Sequence, residues 1–130
     1  MKNVIKVFVV IVCLFVLAAP GLLHAREIQT LKDFKLPHKK GKVYTTALYK
    51  RTTDVHWVMN ITSLGNSGKV HVVLVNSNYQ NRSEVVVMGV ERKEIKSTAT
   101  VSHFYHACLQ NDKSTSLLKG CVFGSWSPDK

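Results

Sequence analysis

The chain has 130 residues, 45% of them hydrophobic and 20% charged, enough for one small domain and no more. Eighteen Lys and Arg face eight Asp and Glu, a formal charge of +10 that favours an anionic partner. The carboxylates are too few and too scattered to support a paired-carboxylate glycosidase.

The chain opens with Lys2 and Lys6, an almost purely apolar run over 7–19, then Pro20 and Gly21, and finally Leu23-His24-Ala25. That order is the layout of a secretory signal peptide cut after Ala25. The apolar run is shorter than the roughly 20 residues a spanning helix needs, which weighs against the competing reading of a retained anchor. Cys13 lies inside the run with no small residue beside it, unlike a lipoprotein attachment site. The expected product is secreted. Cleavage removes two lysines and no carboxylate, leaving 105 residues with a formal charge of +8.

Residues 26–42 form the most basic stretch, with Lys32, Lys35, Lys39, Lys40 and Lys42 around Pro37 and Gly41. Its apolar residues are confined to Ile28, Leu31, Phe34, Leu36 and Pro37, without strand periodicity, so it is expected to be a mobile basic arm. Lys39, Lys40 and Lys42 are the candidate contacts to an anionic surface, with Lys50 and Arg51 next. The expected partner is an anionic cell-envelope polymer or a membrane surface, and nucleic acid is less favoured. Binding of this kind weakens with salt.

From residue 43 to 130 the pattern is that of strands, and a single β domain is expected there. Val43–Arg51 is rich in Tyr and Thr. In 54–76, Val55, Trp57, Met59 and Ile61 alternate with polar or smaller partners before Gly65-Asn66-Ser67-Gly68, and a second apolar run follows. This predicts a β-hairpin with one apolar face. Asn76–Arg82 reads as a polar turn, and Ser83–Lys93, with its run of valines, as a strand buried on both faces. Thr98–Cys108 and Cys121–Trp126 complete the set, joined by a loop over 109–120. Short strands at near-regular spacing, with no helix after the leader, predict an all-β fold. A small antiparallel β-sandwich is favoured, with a barrel as the alternative.

Two cysteines, Cys108 and Cys121, remain after cleavage, and an even count in an exported domain predicts a disulfide between them. It would close the twelve-residue loop and contribute about 3 kcal/mol by the chain-entropy argument. Metal ligation with His103 and His106 is the weaker reading, because structural zinc sites usually bring their cysteines in close pairs. No metal and no cofactor are expected.

His103 and His106 lie three apart, so on a strand they face opposite ways: His103 with Tyr105, His106 with Phe104 and Cys108. His56, His71, His103 and Lys69 are the components of an alternative function, a small secreted nuclease that cleaves RNA by general acid–base chemistry. No nucleophile elbow or phosphate-cradling loop is present. A third alternative is a module that binds a partner along an exposed sheet edge. Asn60-Ile61-Thr62 and Asn81-Arg82-Ser83 match the glycosylation acceptor pattern.

Tyr49-Lys50-Arg51-Thr52-Thr53-Asp54 leading to Trp57, the Gly-Asn-Ser-Gly turn, His103-Phe104-Tyr105 and Gly124-Ser125-Trp126-Ser127-Pro128-Asp129 carry a family resemblance. Over about 44–129 the chain resembles a domain-of-unknown-function family of small exported Gram-positive bacterial proteins, similar in style to lactococcin-type bacteriocin precursors. The resemblance implies a sandwich-like β domain, export, and a part in bacterial competition or envelope stress. It transfers no functional residue. The expectation is therefore a secreted, non-enzymatic basic protein, bacteriocin-like, that binds an anionic envelope surface.

Overall fold

A computed structural model describes residues 25–65, 68–112 and 120–130. The expected signal peptide (apart from Ala25), the middle of the 65–68 turn and most of the 109–120 loop lie outside the described residues.

The strands in chain order are β1 (Gln29–Leu36), β2 (Lys42–Tyr44), β3 (Leu48–Tyr49), β4 (His56–Gly65), β5 (Val70–Asn76), β6 (Val86–Met88), β7 (Arg92–Lys96), β8 (Phe104–Asn111) and β9 (Gly120–Ser127). One sheet has the order β1-β9-β4-β7 and the other β2-β8-β5-β6, with β3 also on β8. All pairings are antiparallel, and neither sheet closes into a barrel, so the fold is an all-β sandwich.

Alternation decides what is inside. Trp57, Met59 and Ile61 of β4 and Val122 and Trp126 of β9 meet Val70, Val72 and Leu74 of β5 and Tyr105, Ala107 and Leu109 of β8 in one core. The Trp57, Met59 and Ile61 periodicity is realised, whereas Val55 stays 44% exposed. β4 and β5 are not a hairpin, however. β4 pairs with β7 and β9, and β5 pairs with β6 and β8. The chain leaves one sheet at Gly65 and enters the other at Val70, so the short connection spans the sandwich instead of folding a strand back on itself.

The basic arm also departs from expectation. Residues 29–36 are β1, an edge strand on β9. Leu31 and Leu36 both reach the core although five positions apart, which a regular strand would put on opposite faces. A register shift between Leu31 and Phe34 resets the phase, with Asp33 at φ 51°. The folded domain thus begins well before residue 43.

The valine run over 83–93 is not a doubly buried strand. β6 has three residues at a sheet edge, Val85, Val87 and Val90 are 50%, 43% and 62% exposed, and a second, charged strand, β7, starts at Arg92.

The Cys108–Cys121 disulfide is overturned, since both thiols are free. Tyr105, Ala107 and Leu109 face the core, so Cys108 points out of its sheet, where it packs with Val73 and Val75. Val122 and Trp126 face the core from β9, so Cys121 points out of the other sheet. Two sheets packed about 10 Å apart separate the thiols. Burial pushes the Cys108 thiol up, whereas Cys121 is partly exposed. In the chain lacking residues 1–25, an aromatic disulfide reagent is expected to modify Cys121 well before Cys108, with two thiols titrating in denaturant. A native mass two hydrogens light would contradict this arrangement.

Candidate functional site

The outer face of the five-stranded sheet collects the chemistry-bearing residues. Along β8, Phe104, His106, Cys108 and Gln110 share the face opposite the core. β2 sets Lys42 beside Gln110 and Tyr44 beside Cys108, and β5 sets His71 beside Gln110 from the other side. Lys42, His71, Cys108 and Gln110 line a small cleft there.

At this end Gln110 donates from Nε2 to the Lys40 carbonyl at 2.6 Å, holding the turn that carries Lys39 and Lys40. His71 Nε2 donates to Asp112 Oδ1 at 2.6 Å. That hydrogen bond is the chief cause holding the Asp112 carboxyl below the usual range, and Lys40 and Lys69 add to it. His71, Lys40 and Lys69 thus act on one carboxylate, while Lys42 lies beside Gln110 and Lys39 sits in the same turn as Lys40. Among the described residues Lys35, Lys50, Lys93 and Lys130 sit within ion-pair distance of a carboxylate, and none of Lys39, Lys40, Lys42 and Lys69 does. Four lysines without an ion-pair partner thus gather at one end of this sheet, whereas Arg26, Lys32, Arg82 and Lys96, likewise without one among the described residues, are spread elsewhere.

Midway along the face an aromatic stack takes over. Tyr79 lies 4.6 Å from Tyr44 between ring centroids and stacks on His106 at 5.5 Å. Tyr79 has φ 59°, a left-handed backbone rarely adopted without support. The support is Asn76, whose Oδ1 accepts from the Asn78 and Gln80 amides at 3.0 and 2.9 Å and whose carbonyl accepts from the Tyr79 amide. His106 Nδ1 donates to the Thr45 carbonyl at 2.7 Å, which fixes its ring. Tyr44 and Tyr79 are nevertheless 38% and 55% exposed, so the stack is a surface feature and no part of the core. Farther on, Tyr49 meets Phe104 edge-on at 5.0 Å, with the Arg51 guanidinium 5.2 Å over Tyr49.

The five candidate surface cations divide. Lys39, Lys40 and Lys42 are exposed, as expected. Lys50 is fully buried, with Nζ donating to the Pro128 carbonyl at 3.0 Å and pairing with Asp129 at 3.1 Å. It touches no solvent and leaves the surface set. Arg51 is half-buried and held by Glu27 at 2.8 Å. Lys69 and His71 join instead, brought beside the Lys39–Lys42 turn by the β5–β8 pairing, a contact between distant segments that residue spacing does not reveal.

The histidines of the nuclease alternative do not converge. His56 begins β4 in the other sheet and pairs with Asp54 at 2.9 Å. His71 is level with Gln110, whereas His103 precedes Phe104 on the same strand, roughly 23 Å away at about 3.3 Å per residue. Among the described residues, no three His, Cys, Asp or Glu gather as metal ligands. Of the sheet edges, β7 is blunted by Arg92, Lys93, Glu94 and Lys96, while β6 leaves Val87 exposed. Asn60 lies within the central strand β4, and Asn81 is exposed.

No family model matches the chain, and neither the curated proteins nor the solved structures contain a significant match.

Proposed function

We propose that this is an exported, non-enzymatic protein that holds an anionic polymer of the cell envelope against the basic end of its five-stranded sheet. One observation carries the reading: Lys39, Lys40 and Lys42 of one turn and Lys69 just before β5, two distant segments, gather at the end of the sheet that holds the His71–Asp112 pair, with no carboxylate within ion-pair distance of them among the described residues. Cations left unneutralised at one place focus a positive potential that attracts polyanions. The neighbouring Tyr44–Tyr79–His106 stack adds a rigid, partly apolar shelf that a point-charge contact lacks. The reading is supported by the signal-peptide layout of residues 1–25, which would send the protein out of the cell, and by the resemblance of 44–129 to small bacteriocin-like exported proteins, which would make the bacterial envelope the setting.

The test uses long-chain polyphosphate as a pure charge probe. Changing Lys39, Lys40, Lys42 and Lys69 together to Gln is expected to weaken binding at low salt at least about thirtyfold and to flatten its salt dependence. Changing Lys32 and Lys96, which lie on the other sheet, is expected to do little. Equal losses from both variants would show that only net charge matters and would sink the assignment to this face.

A further inference from the structure

A second site lies at the opposite end of β8 from the lysines. There a cleft of about 390 Å³ opens beside Phe104, lined also by Ser77, Asn78, Arg82, Thr98 and His103. That is enough room for one or two sugar rings by the usual size of ligand pockets. We propose that this cleft binds a carboxylated sugar, with Arg82 taking the carboxylate and Phe104 packing on the ring face.

Three features carry the inference. Arg82 is a cation held ready. Arg51 and Arg92 are engaged by Glu27 and Glu94, whereas the Arg82 guanidinium has no carboxylate within ion-pair distance among the described residues. Its backbone is fixed on both sides, its amide donating to the Leu74 carbonyl and its carbonyl accepting from the Thr98 amide, each at 2.7 Å. A planar guanidinium on a fixed backbone suits the two-pronged geometry of a carboxylate. No carboxylate lines this cleft, and Glu84 lies in the adjoining shallow cleft that Arg82 and Thr98 also border.

The other walls suit hydroxyl groups better than a bare anion. Ser77 and Asn78 offer side chains that both donate and accept, as sugar hydroxyls require, and neither has a side-chain partner among the described residues. Their positions are set in advance, because Asn76 spends its own amide organising the turn that carries them. A phosphate would use only the donor capacity of these side chains and leave their acceptors unused. Phe104 is 52% exposed at the rim, an apolar plate against which the C–H face of a sugar can pack, edge-supported by Tyr49. The site does not depend on the basic end, so either can fail alone.

Digalacturonate is the probe, titrated by calorimetry or amide shifts into the mature chain, with cellobiose and inorganic phosphate as comparisons. The expected result is saturable binding of digalacturonate, weakened at least about tenfold by Arg82→Gln and about threefold by Phe104→Ala, with neither comparison binding as tightly. Arg82→Lys retains the charge without the fork and is expected to fall between wild type and Arg82→Gln, which keeps the test alive should Arg82→Gln fold poorly. No binding by the wild-type chain overturns the proposal. So does equal affinity in a folded Arg82→Gln chain, or phosphate binding as tight as that of digalacturonate. The Lys39, Lys40, Lys42 and Lys69 variant is expected to bind digalacturonate as wild type does, which separates this site from the polymer face.

Discussion

Asp129→Ala is expected to lower the stability of the folded domain by about 3–5 kcal/mol, the usual consequence of stranding a buried charge. Lys50 and Asp129 are both 0% exposed, and their contact joins the segment after β3 to the last residues of the chain. Asp129 does more than neutralise Lys50. Its carboxylate also accepts from the Arg51 amide at 2.8 Å, the Thr52 amide at 3.0 Å and the Thr52 hydroxyl at 2.8 Å. Removing it leaves an ammonium and three donors short of an acceptor. Lys50→Met leaves those three donors satisfied and is therefore expected to cost less. Replacing both charges with apolar residues of similar size is expected to recover only the part of the loss due to the stranded ammonium, because the Arg51 and Thr52 donors still lack their acceptor. Urea unfolding followed by Trp57 and Trp126 fluorescence reads all three variants. Equal small losses from the two single variants would contradict a buried, coupled pair.

The same carboxylate makes stability depend on pH. Burial pushes the Asp129 pKa up, but the hydrogen bonds from Arg51, Thr52 and Lys50 outweigh it, and the net direction is down. A carboxyl with a lowered folded pKa contributes stability fully above its unfolded value, about 3.9. That contribution is lost as pH falls from there through the folded pKa. Asp129→Asn should accordingly flatten the acid limb of the stability curve below about pH 4 and leave its shape near neutrality unchanged.

Gly124→Ala is the second large effect, expected to cost about 3 kcal/mol or more. Gly124 has φ 155°, a backbone that L side chains rarely adopt. A Cβ there would overlap the Asn60 carbonyl oxygen and stand 3.1 Å from Ile61 Cα. The obstruction is backbone and cannot rotate aside. Nor can β9 retreat, since it is paired with β1 on one side and β4 on the other. The register shift between Ile61 and Ser63 faces this point, so the glycine and the bulge form one device that bends the central strands. Gly89→Ala is the control. Nothing lies within 4 Å of its added carbon, and the unfolded chain loses freedom, so a change between neutral and about +1 kcal/mol is expected.

How much of this was legible in the chain depends on how local each cause is. Trp57, Met59 and Ile61 declared a core face because β4 is regular there, and the all-β class followed from such runs. Partner choice was not legible. A strand–turn–strand pattern such as 54–76 serves a hairpin and a crossing between sheets equally well, since periodicity fixes which side faces inward and never which neighbour pairs. β1 was hidden because the Asp33 bulge breaks its period while Lys32 and Lys35 give it the composition of a loop. The valines of 83–93 suggested burial, although β6 lies at an edge with solvent beside it.

The cysteines illustrate a cue that was present and outweighed. Cys108 shares its parity with Phe104 and His106, and those residues face outward; the even count argued for a disulfide all the same. For the site, Lys39, Lys40 and Lys42 stood out as a run, but Lys69 and His71 joined them only through the β5–β8 register. Lys50 looked like one more surface cation because its counter-charge is 79 positions away.

The most direct test of the polyanion-binding face is amide chemical-shift mapping of the mature, isotope-labelled chain during titration with polyphosphate. Perturbations confined to residues 39–44, 69–71, 79 and 106–112 are the predicted result, fading as salt is raised. Perturbations centred on β1, β4 and β7, or spread evenly over both sheets, would contradict it.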